Sequence, residues 1–395
     1  MKHLDQELGE RPERRGKRAG LRRERWAVLG VVAALLGAVA VPQTFVRRGK
    51  NASAEKPPPA KPTEPWEFRG MSLQLHAYDA GIPFEKYLDE IAQTGANAVS
   101  FSLAAYQENC ASSSLFIEMR KSPSPRRLEG LIQRAHGHKL KVVLMPIVLL
   151  ENPGTGEWRG KIKPSQPEAW WEDYENFILF YAKIAERTRT EVLVIGSELV
   201  SQTGEVDHWR GLIGKVRKVY NGRITYSANW DHYFNIIWWR ELDMIGMTSY
   251  YDLVGEDKPT LEVLRNAWGP IKKDILALQQ KFDRPILFTE VGWPSQVGCA
   301  KQPWNYYGST KPDPAAQATC FKAFFDTWAG EKAVAGVLVW EWRNHEGVTG
   351  GPEDTSYFPG GKPAMEVIKE RFLARGRPAG DNPTTTRQQT PAGKQ

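Results

Sequence analysis

Residues 286–295, ILFTEVGWPS, end an apolar run on the carboxylate of Glu290, and residues 191–199, EVLVIGSEL, do the same with Glu198. An ionised acid left unpaired at the end of a buried strand is costly, so each of these needs a partner or a use. One such acid alone reads as a structural group that caps a helix or pairs with an arginine. Two of them, with aromatic residues around both, can divide nucleophilic and acid/base work at one bond. Held about 5 to 5.5 Å apart they make the pair of a retaining glycosidase, tuned by desolvation and by each other's charge. Glu341, in VWEW, is a rival acid; with Trp340 turned inward it is expected to face outward, toward the helices.

Such a pair needs a frame that brings distant strand ends together. Eight short apolar runs read as strands: 71–77, 98–104, 140–148, 191–199, 223–230, 242–251, 285–293 and 336–344. They read as apolar runs, as parallel strands covered on both faces should. Helical periodicity lies between most neighbours, clearest at 84–95, 128–139, 167–188 and 313–330. In the third, Trp170, Tyr174, Phe177, Ile178, Tyr181 and Ile184 recur on one face, which marks core packing. The expected fold is α/β, a (β/α)8 TIM barrel over residues 66–373, with its site at the C-terminal ends of the strands. A doubly wound sheet would show a glycine-rich phosphate loop after its first strand, and MSLQLHAYDAG has none. Simple alternation then predicts that Ile286 and Phe288 share the inward face with Glu290, and Val194 and Gly196 that of Glu198.

The net charge is +7, but residues 1–50 alone carry 12 Lys/Arg against 5 Asp/Glu, so the barrel region is neutral. That distribution argues against a nucleic-acid partner, which would call for basic excess on the folded domain. The basic excess flanks WAVLGVVAALLGAVAV, residues 26–41, which contains no charge. Residues 26–46 therefore read as a transmembrane anchor or signal segment, with 1–25 as a basic cytoplasmic leader and the barrel exported. Ala38-Val39-Ala40 also resembles a signal-peptidase site, and cleavage there would give a secreted protein. Residues 47–65 form a Pro/Ala-rich linker, and 374–395 read as a disordered tail. The chain has three cysteines, of which Cys299 and Cys320 are the preferred disulfide pair in an exported compartment. No HExxH, P-loop, nucleophile elbow or CxxC occurs, and the expectation is no cofactor and no metal.

The order of IGSEL, TEVGW and VWEW resembles clan A of the glycoside hydrolases. Within it the chain is most similar to glycoside hydrolase family 113, the β-mannanase family, and to the related barrel-like domain of gene transfer agent tail proteins. The stretch EWRGKIKPSQPEAWWEDYENFILFYAKIAE (157–186), FTEVGWPS and GKPAMEV (361–367) carry the similarity most specifically. The resemblance implies Glu198 as acid/base, Glu290 as nucleophile, Tyr250 as hydrogen-bond partner of the nucleophile and Trp340 as a floor under the scissile sugar. Trp158, Trp230, Trp293 and Trp342 become candidates for sugar stacking, and Asn229, Gln107 and His76 for hydroxyl binding. Clan A enzymes usually carry asparagine before the acid/base, where it holds the sugar 2-hydroxyl; here that position is Ser197. The expected function is retaining hydrolysis of a β-linked polysaccharide, most simply β-1,4-mannan, by a monomeric barrel. A non-catalytic carbohydrate-binding or envelope-scaffolding barrel is the alternative.

Overall fold

The computed structural model describes residues 66–374 apart from 77–80, 256 and 344–346. Eight parallel strands close on themselves in chain order: β1 Phe68–Gln74, β2 Ala98–Gln107, β3 Lys141–Leu150, β4 Val192–Ser197, β5 Arg223–Ala228, β6 Ile245–Thr248, β7 Ile286–Val291 and β8 Val334–Val339. Around them lie the helices α1 Phe84–Ala92, α2 Pro125–Gly137, α3 Pro167–Thr188, α4 Val206–Arg217, α5 Leu261–Phe282, α6 Pro314–Trp328 and α7 Pro363–Leu373. The first strand begins three residues earlier than residue 71 and the eighth ends earlier than residue 344. The anchor or signal segment at 26–46, the flanking leader and linker, and the tail from 375 lie outside the described residues. Among the described residues no helix is long and apolar enough to cross a membrane.

Between β5 and β6 the expected helix is replaced by two short 3-10 turns, Tyr233–Asn235 and Trp239–Glu241. Indole rings fill the volume instead: Trp238 stacks on Trp209 of α4 at 4.8 Å and Trp239 is fully buried. Most of the tryptophans serve this outer layer, where burying one aromatic removes roughly 150 to 250 Å² from water. In α3, Pro167 occupies the first turn, where its missing N–H is not needed, and Trp170, Trp171, Tyr174, Ile178 and Tyr181 turn to the strands.

Simple alternation fails on the two strands that carry the acids. Between Val194 and Ser197, β4 uses three residue steps where β5 uses two, from Thr225 to Ser227. Likewise β7 runs three steps from Phe288 to Val291 against two on β8, from Val337 to Val339. Each is a β-bulge, which inserts one residue and re-aims the side chains beyond it. Ile286 and Phe288 consequently pack outward, Phe288 against Phe324 and Trp328 of α6 at 5.2 and 4.8 Å. The inward residues are Leu287 and Thr289, whose hydroxyl lies 2.7 Å from that of Ser227. Gly196 also faces the helices, because a Cβ there would come 2.5 Å from Tyr174 Oη. That phenol donates to Ile195 O at 2.7 Å, clamping α3 onto the bulge. The inward placement expected for Ile286, Phe288 and Gly196 is therefore wrong, and that expected for Glu198 and Glu290 is reached by another route.

Candidate active site

Glu198 follows directly on β4 in the left-handed backbone region, φ 53°, a conformation that costs a non-glycine residue about 1 to 2 kcal/mol. It is 1 % exposed. Arg159 Nη2, on the 3-10 turn Arg159–Lys161 after β3, donates to Glu198 Oε2 at 3.1 Å. Thr248 Oγ1, the last residue of β6, donates to Glu198 Oε1 at 3.1 Å. Both side chains of the Arg159–Glu198 ion pair are almost completely buried. The arginine supplies the compensation that a buried carboxylate requires.

Glu290 is 3 % exposed and accepts a hydrogen bond from Tyr250 Oη at 2.8 Å. Burial pushes the Tyr250 phenol well above its ordinary range, and the negative charges of Glu290 and, less strongly, Glu198 push it further. The phenol thus stays protonated and feels both carboxylates. A second link is the ladder between β6 and β7, where Thr248 stands opposite Glu290. The two acids open on the same end of the barrel, the end formed by the strand C-termini.

Trp340 lines that mouth with Tyr250 and Tyr357, in the apolar cluster that fills the barrel interior. Its backbone N–H donates to Val291 O at 2.8 Å, drawing the end of β8 to the end of β7. Gly292 permits the approach, since a Cβ there would collide with Trp340 O. Trp230 is half-buried at the edge of the same cluster and stacks on Trp304, with ring centroids 5.6 Å apart. Asn229 is buried and donates to Asp231. Ser197 is buried, and its hydroxyl has no hydrogen-bond partner among the described residues. His76 is buried past the end of β1; burial, then the Arg159 charge, lowers its pKa to about 4, so the imidazole is neutral.

Several expected site residues do other work. Trp293 is fully buried and packs edge-on against Phe321 at 5.1 Å, in the helix layer. Trp342 is 4 % exposed and meets Phe358 edge-on at 5.0 Å. Gln107 is fully buried with both ends of its amide engaged: Oε1 accepts from Trp170 Nε1 at 2.8 Å and Nε2 donates to Asn109 O at 2.7 Å. It ties β2 to α3. Trp158 is buried with its indole folded over Gly160. Glu341, expected to face the helices, accepts a hydrogen bond from Gln74 at the C-terminal end of β1. Cys110, Cys299 and Cys320 are buried, and Cys110 Sγ donates to Trp158 O at 3.5 Å; Cys299 and Cys320 are thiols in hydrogen-bond contact, and burial followed by that contact raises the Cys320 thiol. The expected pair is adjacent but not bonded. Residues 136 and 138, the histidines of α2 and its cap, lie within hydrogen-bond distance of Glu191 and Asp89, at 3.3 and 2.7 Å.

The sequence reading missed Arg159 and Thr248. Arg159 lies inside the specific stretch 157–186, but a lone arginine in a polar loop carries no mark of burial. Thr248 ends a strand among other small polar residues, and only the barrel's closure brings it to Glu198. Tyr357, Trp304 and Tyr306 at the mouth were missed because they sit on long loops far from any strand end.

A closed parallel barrel with two buried, hydrogen-bonded carboxylates at its C-terminal mouth is the framework of a barrel hydrolase. The family model for Glycoside Hydrolase Family 113 matches residues 80–362, and the chain belongs to that family; it is a glycoside hydrolase of clan A. No curated protein matches the sequence. Among solved structures, the complex structure of a GH113 β-1,4-mannanase is 28 % identical, with a TM-score of 0.70 over 79 % of this chain and 100 % of that one. The GH113 β-mannanase AaManA from Alicyclobacillus acidocaldarius, in complex with ManMIm, is 26 % identical, with a TM-score of 0.68 over 78 % of this chain and 97 % of that one. A β-D-glucuronidase from Dictyoglomus thermophilum shares the fold at 16 % identity and a TM-score of 0.53, over 80 % of this chain and 52 % of its own.

Proposed function

We propose that the barrel hydrolyses β-1,4-mannan, or a closely similar β-linked polysaccharide, with retention of anomeric configuration. Glu290, ionised, attacks the anomeric carbon while Glu198, which carries a proton in the reacting form of the enzyme, delivers it to the glycosidic oxygen, which leaves as an alcohol. The resulting glycosyl ester on Glu290 is opened by a water that Glu198 deprotonates, which restores both groups. Tyr250 Oη, 2.8 Å from Glu290 Oε2, orients the nucleophile and shares its charge. Thr248 and Arg159 hold Glu198 from two sides, and the bulges on β4 and β7 turn both acids into the mouth. Trp340 lies at the mouth as an apolar floor, and Ser197 stands at the position before the acid/base, beside the sugar 2-hydroxyl.

The observation that carries this reading is the pair Glu198 and Glu290, the first bonded by Thr248 and the second by Tyr250 and standing opposite Thr248 in the ladder, within a family 113 barrel. The similar solved structures are β-mannanases, which supports the choice of mannan. The test is release of reducing sugar from mannan, glucomannan, cellulose and xylan by the wild type and by Glu290→Ala. Activity on the mannans that disappears in the variant supports the reading. Equal rates in both proteins end it, and oligosaccharide binding without any turnover favours a non-catalytic carbohydrate-binding barrel.

The same reading places the enzyme, as a monomer, outside the cytoplasm and tethered by residues 26–46. The support is the charge-free run between Arg25 and Arg47 behind a basic leader. N-terminal sequencing of the mature protein tests it, and a chain starting at Val41 contradicts tethering.

A further inference from the structure

The loop between β7 and α6 holds a row of aromatic residues that the two-acid chemistry does not use. Pro303, Trp304, Asn305, Tyr306 and Tyr307 follow one another in it. A loop of this length would ordinarily vary in conformation, but this one is fastened at several points. Tyr357 Oη donates to Pro303 O at 2.5 Å. The Gln296 amide, 2 % exposed, donates to Asn305 O at 2.5 Å and accepts from Ser309 N at 3.3 Å. Gln296 also bridges to Pro312 in antiparallel fashion, closing the loop at its base.

The fastened segment delivers its rings to the mouth. Trp304 stacks on Trp230, the interplanar angle being 16°. Tyr306 lies 6.2 Å from Tyr357, and Tyr357 lies 6.2 Å from Tyr250, which bonds the nucleophile. Beyond Tyr306, Tyr307 follows at 4.3 Å and is 55 % exposed. The aromatic surface therefore runs outward from Glu290 along the loop and ends in solvent. Tyr307 is not a lone exposed ring but the end of a contiguous aromatic row, and its apolar face matches that of a pyranose.

We infer that residues 304–307 form an outer subsite that stacks sugar units beyond the pair at the cleaved linkage, with Tyr307 as its outermost platform. The ligand class is a β-linked hexopyranose chain longer than the catalytic centre itself can cover, so the enzyme selects long chains over short ones. The inference rests on the proposed glycosidase reading for the location of the cleaved linkage.

The experiment measures binding of β-1,4-mannohexaose and mannotriose by calorimetry to the full chain carrying Glu290→Gln, with Tyr307 intact, Tyr307→Ala or Tyr307→Phe. Turnover of mannohexaose is measured in parallel with Glu290 intact. Loss of one stacking face should weaken mannohexaose binding about tenfold, the usual scale of ~1.4 kcal/mol. That loss should exceed the loss for mannotriose at least several-fold, and Tyr307→Phe should restore it. With Glu290 intact, Tyr307→Ala should raise KM for mannohexaose and leave kcat near wild type. Unchanged hexaose affinity, or equal losses for both sugars, overturns the subsite, and turnover by the parent then leaves the hydrolase reading standing. Tyr307-dependent hexaose binding without turnover by any chain upholds the subsite and removes the hydrolase reading.

Discussion

Thr248 Oγ1 donates a hydrogen bond to Glu198 Oε1 at 3.1 Å, and the same residue stands opposite Glu290 in the β6–β7 ladder. One short strand thus sets the position of one acid through its side chain and of the other through its backbone. A hydrogen bond to a charged group contributes about 1.5 to 3 kcal/mol. Thr248→Val, close in shape but without the donor, should lower kcat on mannan by roughly 10- to 100-fold while KM changes little. Steady-state kinetics together with a melting curve will separate this from unfolding.

Arg159 should matter more for stability. Its pair with Glu198 is buried on both sides, and removing one member of such a pair typically costs about 3 to 5 kcal/mol because the other charge is stranded. Arg159→Met should lower the urea midpoint markedly, whereas the double variant Arg159→Met, Glu198→Gln should recover much of the loss. A double-mutant cycle in urea checks this coupling.

For Tyr250→Phe the fold should survive, since only the hydroxyl that donates to Glu290 is removed. The expected loss is roughly 10²- to 10³-fold in kcat, the scale of losing one donor aimed at reacting charge. A loss confined to KM would show that the phenol contacts substrate rather than serving the nucleophile.

His76 makes stability depend on pH. Its folded pKa of about 4 lies below the ordinary value of 6.5 because burial and the Arg159 charge oppose protonation. Between those values the unfolded chain binds the extra proton, so stability falls as pH drops from 6.5 toward 4, by about 3 kcal/mol in all. His76→Gln should flatten that segment of the stability–pH curve, as measured by urea unfolding at successive pH values.

Much of the barrel was legible because parallel strands covered on both faces must be apolar runs, and eight such runs separated by helical periodicity leave few other folds. The burial of Glu198 and Glu290 with hydrogen-bond partners at the strand ends was legible because an acid closing an apolar run is costly without a partner or a use. The bulges were not: an extra residue at Ile195-Gly196 or at Thr289-Glu290 leaves no trace in composition, so alternation turned Ile286, Phe288 and Gly196 the wrong way. The packing of Trp293 against Phe321 and of Trp342 against Phe358 was not legible for a related reason, because a tryptophan at a strand end looks the same whichever neighbour it meets. Arg159 became visible only through its burial against Glu198.

The central claim is that Glu290 forms a covalent bond to the sugar while Glu198 handles the proton. Incubation with a 2-deoxy-2-fluoro-β-mannosyl fluoride, followed by peptide mass spectrometry, tests it directly, since such a reagent leaves the intermediate on the nucleophile. The account predicts a single fluoromannosyl label on the peptide containing Glu290, and none in Glu290→Ala. A label on Glu198 or on Glu341, or no label with a product of inverted configuration, would contradict it.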